Sequence, residues 1–278
     1  MAYKRILTVQ DISCVGQCSL TVALPILSAC GLETCILPSG VLSTHTAGFG
    51  MPHIRDMTED FSGILSHWQS QNITFDGVYT GYLGDVRHMA FVKEIFEKMV
   101  TPGGARIVDP AMGDHGKLYP CFDMAYADEM TQLCRHADVI LPNVTEACLM
   151  TGIPYRQELD EEYVSQLMGK LELICPNVVL TGIGYRPEET GVLVSCNGRR
   201  WHYGHGKIER ICHGTGDIFA SVFVGAMQQG KTLEEAVKIA ADFTVECIEK
   251  TKDDAEHWYG VKFEMVLPKL IRQLFPVE

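Results

Sequence analysis

The 278-residue sequence predicts an α/β fold, with a parallel sheet carrying helices on both faces. Two observations carry this. Short, nearly continuous apolar runs alternate with longer segments of helical period, and most of those runs end in a polar residue followed by a turn. A third is composition: 46% hydrophobic and 21% charged residues suit a globular chain with a sizeable core, read as one domain over 1–278.

The strands expected in order are 5–10 (RILTVQ), 34–39 (TCILPS), 75–81 (FDGVYTG), 105–110 (ARIVDP), 138–143 (DVILPN) and 177–182 (NVVLTG). Helical periodicity falls between them at 19–30, 58–70, 86–100, 122–136, 144–151 and 160–174, with Pro25 interrupting the first. After Thr181 the pattern changes. GVLVSCNGRRWHYGH reads as a hairpin turning at Asn197-Gly198, and three helices follow near 215–229, 232–250 and 261–275.

Composition also excludes functions. A formal net charge of −12 argues against a nucleic-acid partner, because backbone binding needs basic patches. No apolar run is long enough to cross a bilayer, and MAYKRILTVQDIS reaches Gln10-Asp11 before a signal core forms, so a cytoplasmic protein is expected. The 11 cysteines lack a C-x-x-C pair and read as mostly buried free thiols in a reducing compartment.

Ligands in open parallel sheets bind beyond the carboxyl ends of strands. Here those ends carry Gln10-Asp11, Ser39, Thr80-Gly81-Tyr82, Asp109, Asn143 and Thr181-Gly182, which a parallel sheet gathers on one edge. Gly214-Thr215-Gly216-Asp217 opens an apolar helix. Glycines there leave main-chain N–H groups approachable at the positive end of a helix dipole, which is a place for an anion. GAMQQGKT (225–232) matches the Walker A spacing, but no strand precedes it. Gly230 reads as a helix stop and Thr232 with Glu235 as a capping box, so it is a decoy.

In order along the chain stand VQDISCVGQCSL, LSTHTAGFG (42–50), TGYLGD (80–85), VDPAMGD (108–114), LPNVTEACLM (141–150), VVLTG (178–182) and GTGDIFASVFVGA (214–226). The chain thereby resembles the ribokinase superfamily, and within it the vitamin B6 kinases, over nearly its whole length. The resemblance implies a three-layer α/β/α sandwich and ATP-dependent phosphorylation of a vitamer's 5′-hydroxymethyl group. It makes Asp217 the general base, with Gly214, Thr215 and Gly216 as donors to the transferring phosphoryl. Magnesium would be held through Asp109, Asn143 and Glu146. Asp114, Tyr119, Asn143, Thr181 and Gly182 would line the nucleotide side, and His45, Thr46 and Tyr82 the pyridine ring, with Ser39 and Asp11 at neighbouring strand ends. A homodimer and a monovalent cation such as potassium near the anion loop are implied as well. One departure stands out: many pyridoxal kinases have serine where this chain has Asp11. Hydroxymethylpyrimidine kinase is the nearest alternative, although that branch often carries cysteine at the position of Asp217. A non-catalytic B6- or nucleotide-binding relative is the other.

Overall fold

A computed structural model describes residues 3–210 and 212–276. Eleven strands are described: β1 (Arg5–Ser13), β2 (Glu33–Leu42), β3 (Ile54–Asp56), β4 (Phe75–Thr80), β5 (Val100–Val108), β6 (Gly113–Asp114), β7 (Lys117–Leu118), β8 (Val139–Ile140), β9 (Asn177–Thr181), β10 (Glu189–Cys196) and β11 (Arg199–Gly206). The helices are α1 (Leu20–Ala29), α2 (Thr58–Ser70), α3 (Val86–Lys98), α4 (Met124–Cys134), α5 (Val144–Thr151), α6 (Glu161–Leu171), α7 (Thr215–Gln228), α8 (Leu233–Thr251) and α9 (Leu267–Leu274).

Nine strands form one sheet in the order β11-β10-β9-β8-β5-β4-β1-β2-β3. The six from β9 to β2 are parallel, while β3, β10 and β11 add antiparallel edges. The parallel strands read as unbroken apolar runs because both faces are covered. One face packs Leu7, Val9, Val78, Val108 and Val178 against α2 to α6; the other packs Ile6, Tyr79, Ile107 and Val179 against α1, α7, α8 and α9. The expected three-layer sandwich is therefore present.

Departures from expectation have local causes. The strand expected to run to residue 143 ends at Ile140, because Pro142 has no N–H for the ladder and Asn143 already caps α5. The single helix expected over 261–275 is a 3-10 turn at Phe263–Met265 followed by α9, with Pro268 in the first turn of α9. Strand β3 and the β6–β7 hairpin were not expected; all three residues of β3 are exposed, and Ile54 alone makes no apolar run. The cysteines are free, but only Cys30, Cys134, Cys148, Cys175 and Cys247 are buried, so mostly buried thiols are not what the fold holds. No described helix is long and apolar enough to cross a membrane.

Candidate active site

Parallel pairing puts the carboxyl ends of β1, β2, β4, β5, β8 and β9 on one edge, and α7 begins there. Its N-cap, Gly214, is left-handed (φ 75°), and no side chain caps the helix. The first-turn N–H groups are thus left for something else. A Cβ on Gly214 would sit 1.9 Å from the Gln17 carbonyl oxygen, so glycine is needed for fit as well as for φ. Gly216 differs: no described residue lies within 4 Å of where its Cβ would be. That open space faces the uncapped turn.

Asp217 stands in this first turn. Burial pushes its carboxyl up to about 6; a backbone hydrogen bond from Ser19 pulls it down and the nearby Asp11 charge raises it further. Ser19 itself holds a left-handed φ of 52°, costly for a residue with a Cβ, at the point where the chain meets this carboxylate. A base poised near neutrality is what proton removal from an alcohol calls for.

Asp109, at the end of β5, is buried, and its carboxylate makes no hydrogen bond among the described residues. Burial and then the charges of Glu146 and Asp217 push it well above the ordinary carboxylate range. Glu146 is raised by burial too, against hydrogen bonds from the backbone of Asn143, Met112 and Gly113. Both of its oxygens accept main-chain N–H groups, Oε1 from Met112 (3.1 Å) and Oε2 from Asn143 (2.8 Å). Asn143 is equally occupied: Oδ1 accepts from the Glu146 N–H (2.9 Å) and Nδ2 donates to the Gly113 carbonyl (2.9 Å). The pair forms a reciprocal capping box on α5.

The β6–β7 hairpin leans on that helix start, with the Gly116 N–H donating to Thr145 Oγ1 (2.9 Å). It carries Asp114, exposed, whose Oδ1 accepts from the His115 N–H (2.8 Å). Tyr119 follows; burial raises its hydroxyl, with the charges of Glu146, Asp114, Asp217 and Asp109 adding to it. Thr181 pairs with Asn143, and its N–H donates to the Pro142 carbonyl (2.9 Å). Gly182 (φ 79°) has open space around it.

On the other side, Asp11 lies where β1 and β2 shift register between Gln10 and Ile12, opposite Ser39 and Gly40. Such a bulge re-aims side chains. Asp11 is buried, accepts a hydrogen bond from Ser13 (3.0 Å), and burial raises its carboxyl. Ser39 donates to the Tyr82 carbonyl (3.1 Å). The Tyr82 ring lies 5.2 Å from Phe122, which stacks on Tyr126 at 3.6 Å. His45 is buried, and both its nitrogens are engaged by main chain. The Ala47 N–H donates to Nδ1 (3.2 Å), leaving the ring proton on Nε2 to reach the Tyr259 carbonyl (2.8 Å). It can offer a ligand only its ring surface. Gly16 permits this seat, since a Cβ there would lie 2.1 Å from His45 Cδ2. Thr46 is exposed in the same loop.

Residues 48–261 match the Phosphomethylpyrimidine kinase family, more than three quarters of the chain. The chain belongs to this family. It shares 31% identity and a TM-score of 0.89 with pyridoxal kinase from Lactobacillus plantarum, covering 98% of each chain. A Bacteroides thetaiotaomicron protein described as a phosphomethylpyrimidine kinase and crystallised with pyridoxal gives 33% identity and a TM-score of 0.92, over 97% of this chain and 96% of that one. Pyridoxal kinase from Arabidopsis thaliana is 23% identical over 273 residues, 90% of this chain and 83% of that protein. This is a kinase of the B6 branch of the ribokinase superfamily.

Several residues gathered at this candidate site were not foreseen. Ser19 reaches the Asp217 carboxylate, and Phe122 with Tyr126 extends the aromatic wall. The HWYG segment (257–260) covers His45, with Trp258 4.6 Å from Phe49. Among the described residues no group of three or more His, Cys, Asp and Glu side chains is arranged to hold a metal. A separate cleft of about 300 Å³ between α2 and α3, lined by Thr58, Glu59, Ser62, Arg87, Ala90 and Phe91, shares no residue with the site.

Proposed function

We propose that this kinase transfers the γ-phosphoryl group of ATP to the 5′-hydroxymethyl oxygen of a B6 vitamer. The observation that carries the reading is the uncapped start of α7, with Asp217 in its first turn, pointed at the edge where six strands end. Asp217 takes the hydroxyl proton, the oxygen forms a bond to phosphorus, and the bond from phosphorus to the β-phosphate oxygen breaks, releasing ADP. The N–H groups of Gly214, Thr215 and Gly216, which have no side-chain partner among the described residues, donate to the phosphoryl oxygens as charge develops on them. Being fixed by the helix, they need no reorganisation.

Magnesium fits the residues present. It needs only one or two carboxylates because it keeps much of its water. Asp109 has a buried carboxylate without a hydrogen-bond partner among the described residues, and the Glu146 carboxylate keeps acceptor capacity beyond the main-chain N–H groups it serves. When bound, the ion neutralises phosphate charge. Because burial favours protonated Asp109 and Glu146, with the charges of Glu146 and Asp217 adding to it at Asp109 and that of Asp114 at Glu146, binding the ion releases protons, and affinity rises with pH.

Asp114, Tyr119, Thr181 and Gly182 form the nucleotide side. Asp11, Ser39, His45, Thr46 and Tyr82 form the vitamer side, where the pyridoxal in the Bacteroides structure supports a flat heteroaromatic guest. Asp11 stands where many pyridoxal kinases have serine. A buried carboxylate there favours a ligand that brings a proton or an ammonium group, which tilts the site toward pyridoxamine. A second acceptor is hydroxymethylpyrimidine, with the same flat ring and a primary alcohol; the family description names its phosphate ester.

The test is ATP consumption with pyridoxal, pyridoxine, pyridoxamine and hydroxymethylpyrimidine, in wild type and Asp11→Ser. Turnover of at least one vitamer is expected, with the substitution shifting kcat/KM from pyridoxamine toward pyridoxal. Turnover of hydroxymethylpyrimidine alone would overturn the vitamer assignment, and an unchanged preference would remove the role given to Asp11.

A further inference from the structure

The family resemblance implies a free monovalent cation beside the anion loop, and the residues there do not fit one. Arg210 stands four positions before Gly214. Its guanidinium donates to three main-chain carbonyls: Thr251 through Nη1, and Asp254 (2.8 Å) and His257 (2.9 Å) through Nη2. Converging backbone carbonyls are the ligands an alkali-metal ion takes, and here a side chain has taken them. Thr251 is also the last residue of α8, so the guanidinium meets the negative end of that helix. A second fixed cation, Lys262, holds the same segment through Asp254 Oδ2 (2.5 Å).

This segment is joined to the anion loop by contacts that can be followed atom by atom. His257 Nε2 lies 2.8 Å from Gln17 Oε1, and the Tyr259 carbonyl accepts the Gln17 N–H (3.4 Å). The Gln17 carbonyl in turn is what Gly214 packs against. Order at the three carbonyls therefore becomes order at the start of α7.

We infer that Arg210 is a tethered cation doing what a free potassium ion would do, so that the anion loop stays ordered whatever monovalent salt is present. It is a positioning residue, since it acts through residues 251–259 and Gln17 on the loop. The inference rests on the kinase reading for its rate effect, though its effect on loop order does not.

The experiment compares wild type, Arg210→Ala and Arg210→Lys in potassium chloride, sodium chloride and choline chloride at equal ionic strength. Vitamer phosphorylation is followed alongside amide hydrogen exchange over residues 212–217 and 252–260. Wild type is expected to show the same kcat and the same exchange in all three salts. Arg210→Ala is expected to lose about a hundredfold in kcat with little change in KM. Exchange should rise in both segments, with partial recovery on adding guanidinium ion. Arg210→Lys, which keeps the charge but not the fork, should fall between. Strong activation of wild type by potassium over choline overturns the inference, as does wild-type kcat and exchange in Arg210→Ala. If Arg210→Ala does not fold, the wild-type salt comparison and Arg210→Lys decide. Should no acceptor be phosphorylated, the kinase reading fails while the exchange measurements still decide this one.

Discussion

Helices α5 and α7 both begin on the edge where the parallel strands end, and their first turns are finished in opposite ways. At α5 the chain satisfies itself: Asn143 and Glu146 exchange hydrogen bonds with each other's main-chain N–H groups, and the hairpin from Gly113 to Leu118 closes over them. At α7 a left-handed glycine stands where a capping side chain would be. One helix start is closed by its own side chains and the other is left without a side-chain cap, although both carry an acidic residue in the first turn. A carboxylate at a helix start is therefore no guide to its role until its hydrogen bonds are counted.

The comparison can be broken at either end. The largest effect belongs to Asp217→Asn, expected to lower kcat by about 10³-fold, the size of a lost general base, without lowering the melting temperature. A variant that keeps its rate, or that melts early, would put Asp217 in the scaffold with Glu146. Next comes Gly216→Ala. Its Cβ meets nothing among the described residues, so stability should hold while the methyl group intrudes on the transferring phosphoryl. A kcat loss of about 10² is expected, comparable to removing one oxyanion donor, and steady-state kinetics beside a thermal melt would separate the two readouts.

The smallest effect is structural. Glu146→Ala removes half of the α5 capping box and should destabilise the ligand-free protein by about 1 kcal/mol, a drop of roughly 2–4 °C in melting temperature. An unchanged melt would mean that α5 does not depend on its own cap, and the contrast with α7 would lose its meaning.

The same contrast explains what the sequence could tell. Strand ends and helix starts were legible because apolar runs, turn glycines and the Thr232/Glu235 capping box are written in consecutive residues, and that capping box forms as expected. It was enough to dismiss the Walker-type match, whose Gly225 lies within α7. Whether Glu146 serves a metal or a cap depends on Met112, 34 positions away, and was not legible. His45 raised the same difficulty, because its partner is the main-chain carbonyl of Tyr259, which no side-chain pattern announces. Arg210 is the extreme case: its three acceptors are all backbone oxygens.

The central claim is that Asp217, held near neutrality by burial at an uncapped helix start, removes the proton from the acceptor alcohol. The pH dependence of kcat/KM for the best acceptor tests it most directly. Because burial raises the Asp217 carboxyl to about 6, the base is lost as pH falls through that value. The rate should climb about tenfold per pH unit below it, as for any single required ionisation, and level off above. The residual activity of Asp217→Asn should lack this limb. A wild-type profile flat down to pH 5, or a limb that survives in Asp217→Asn, would contradict the claim.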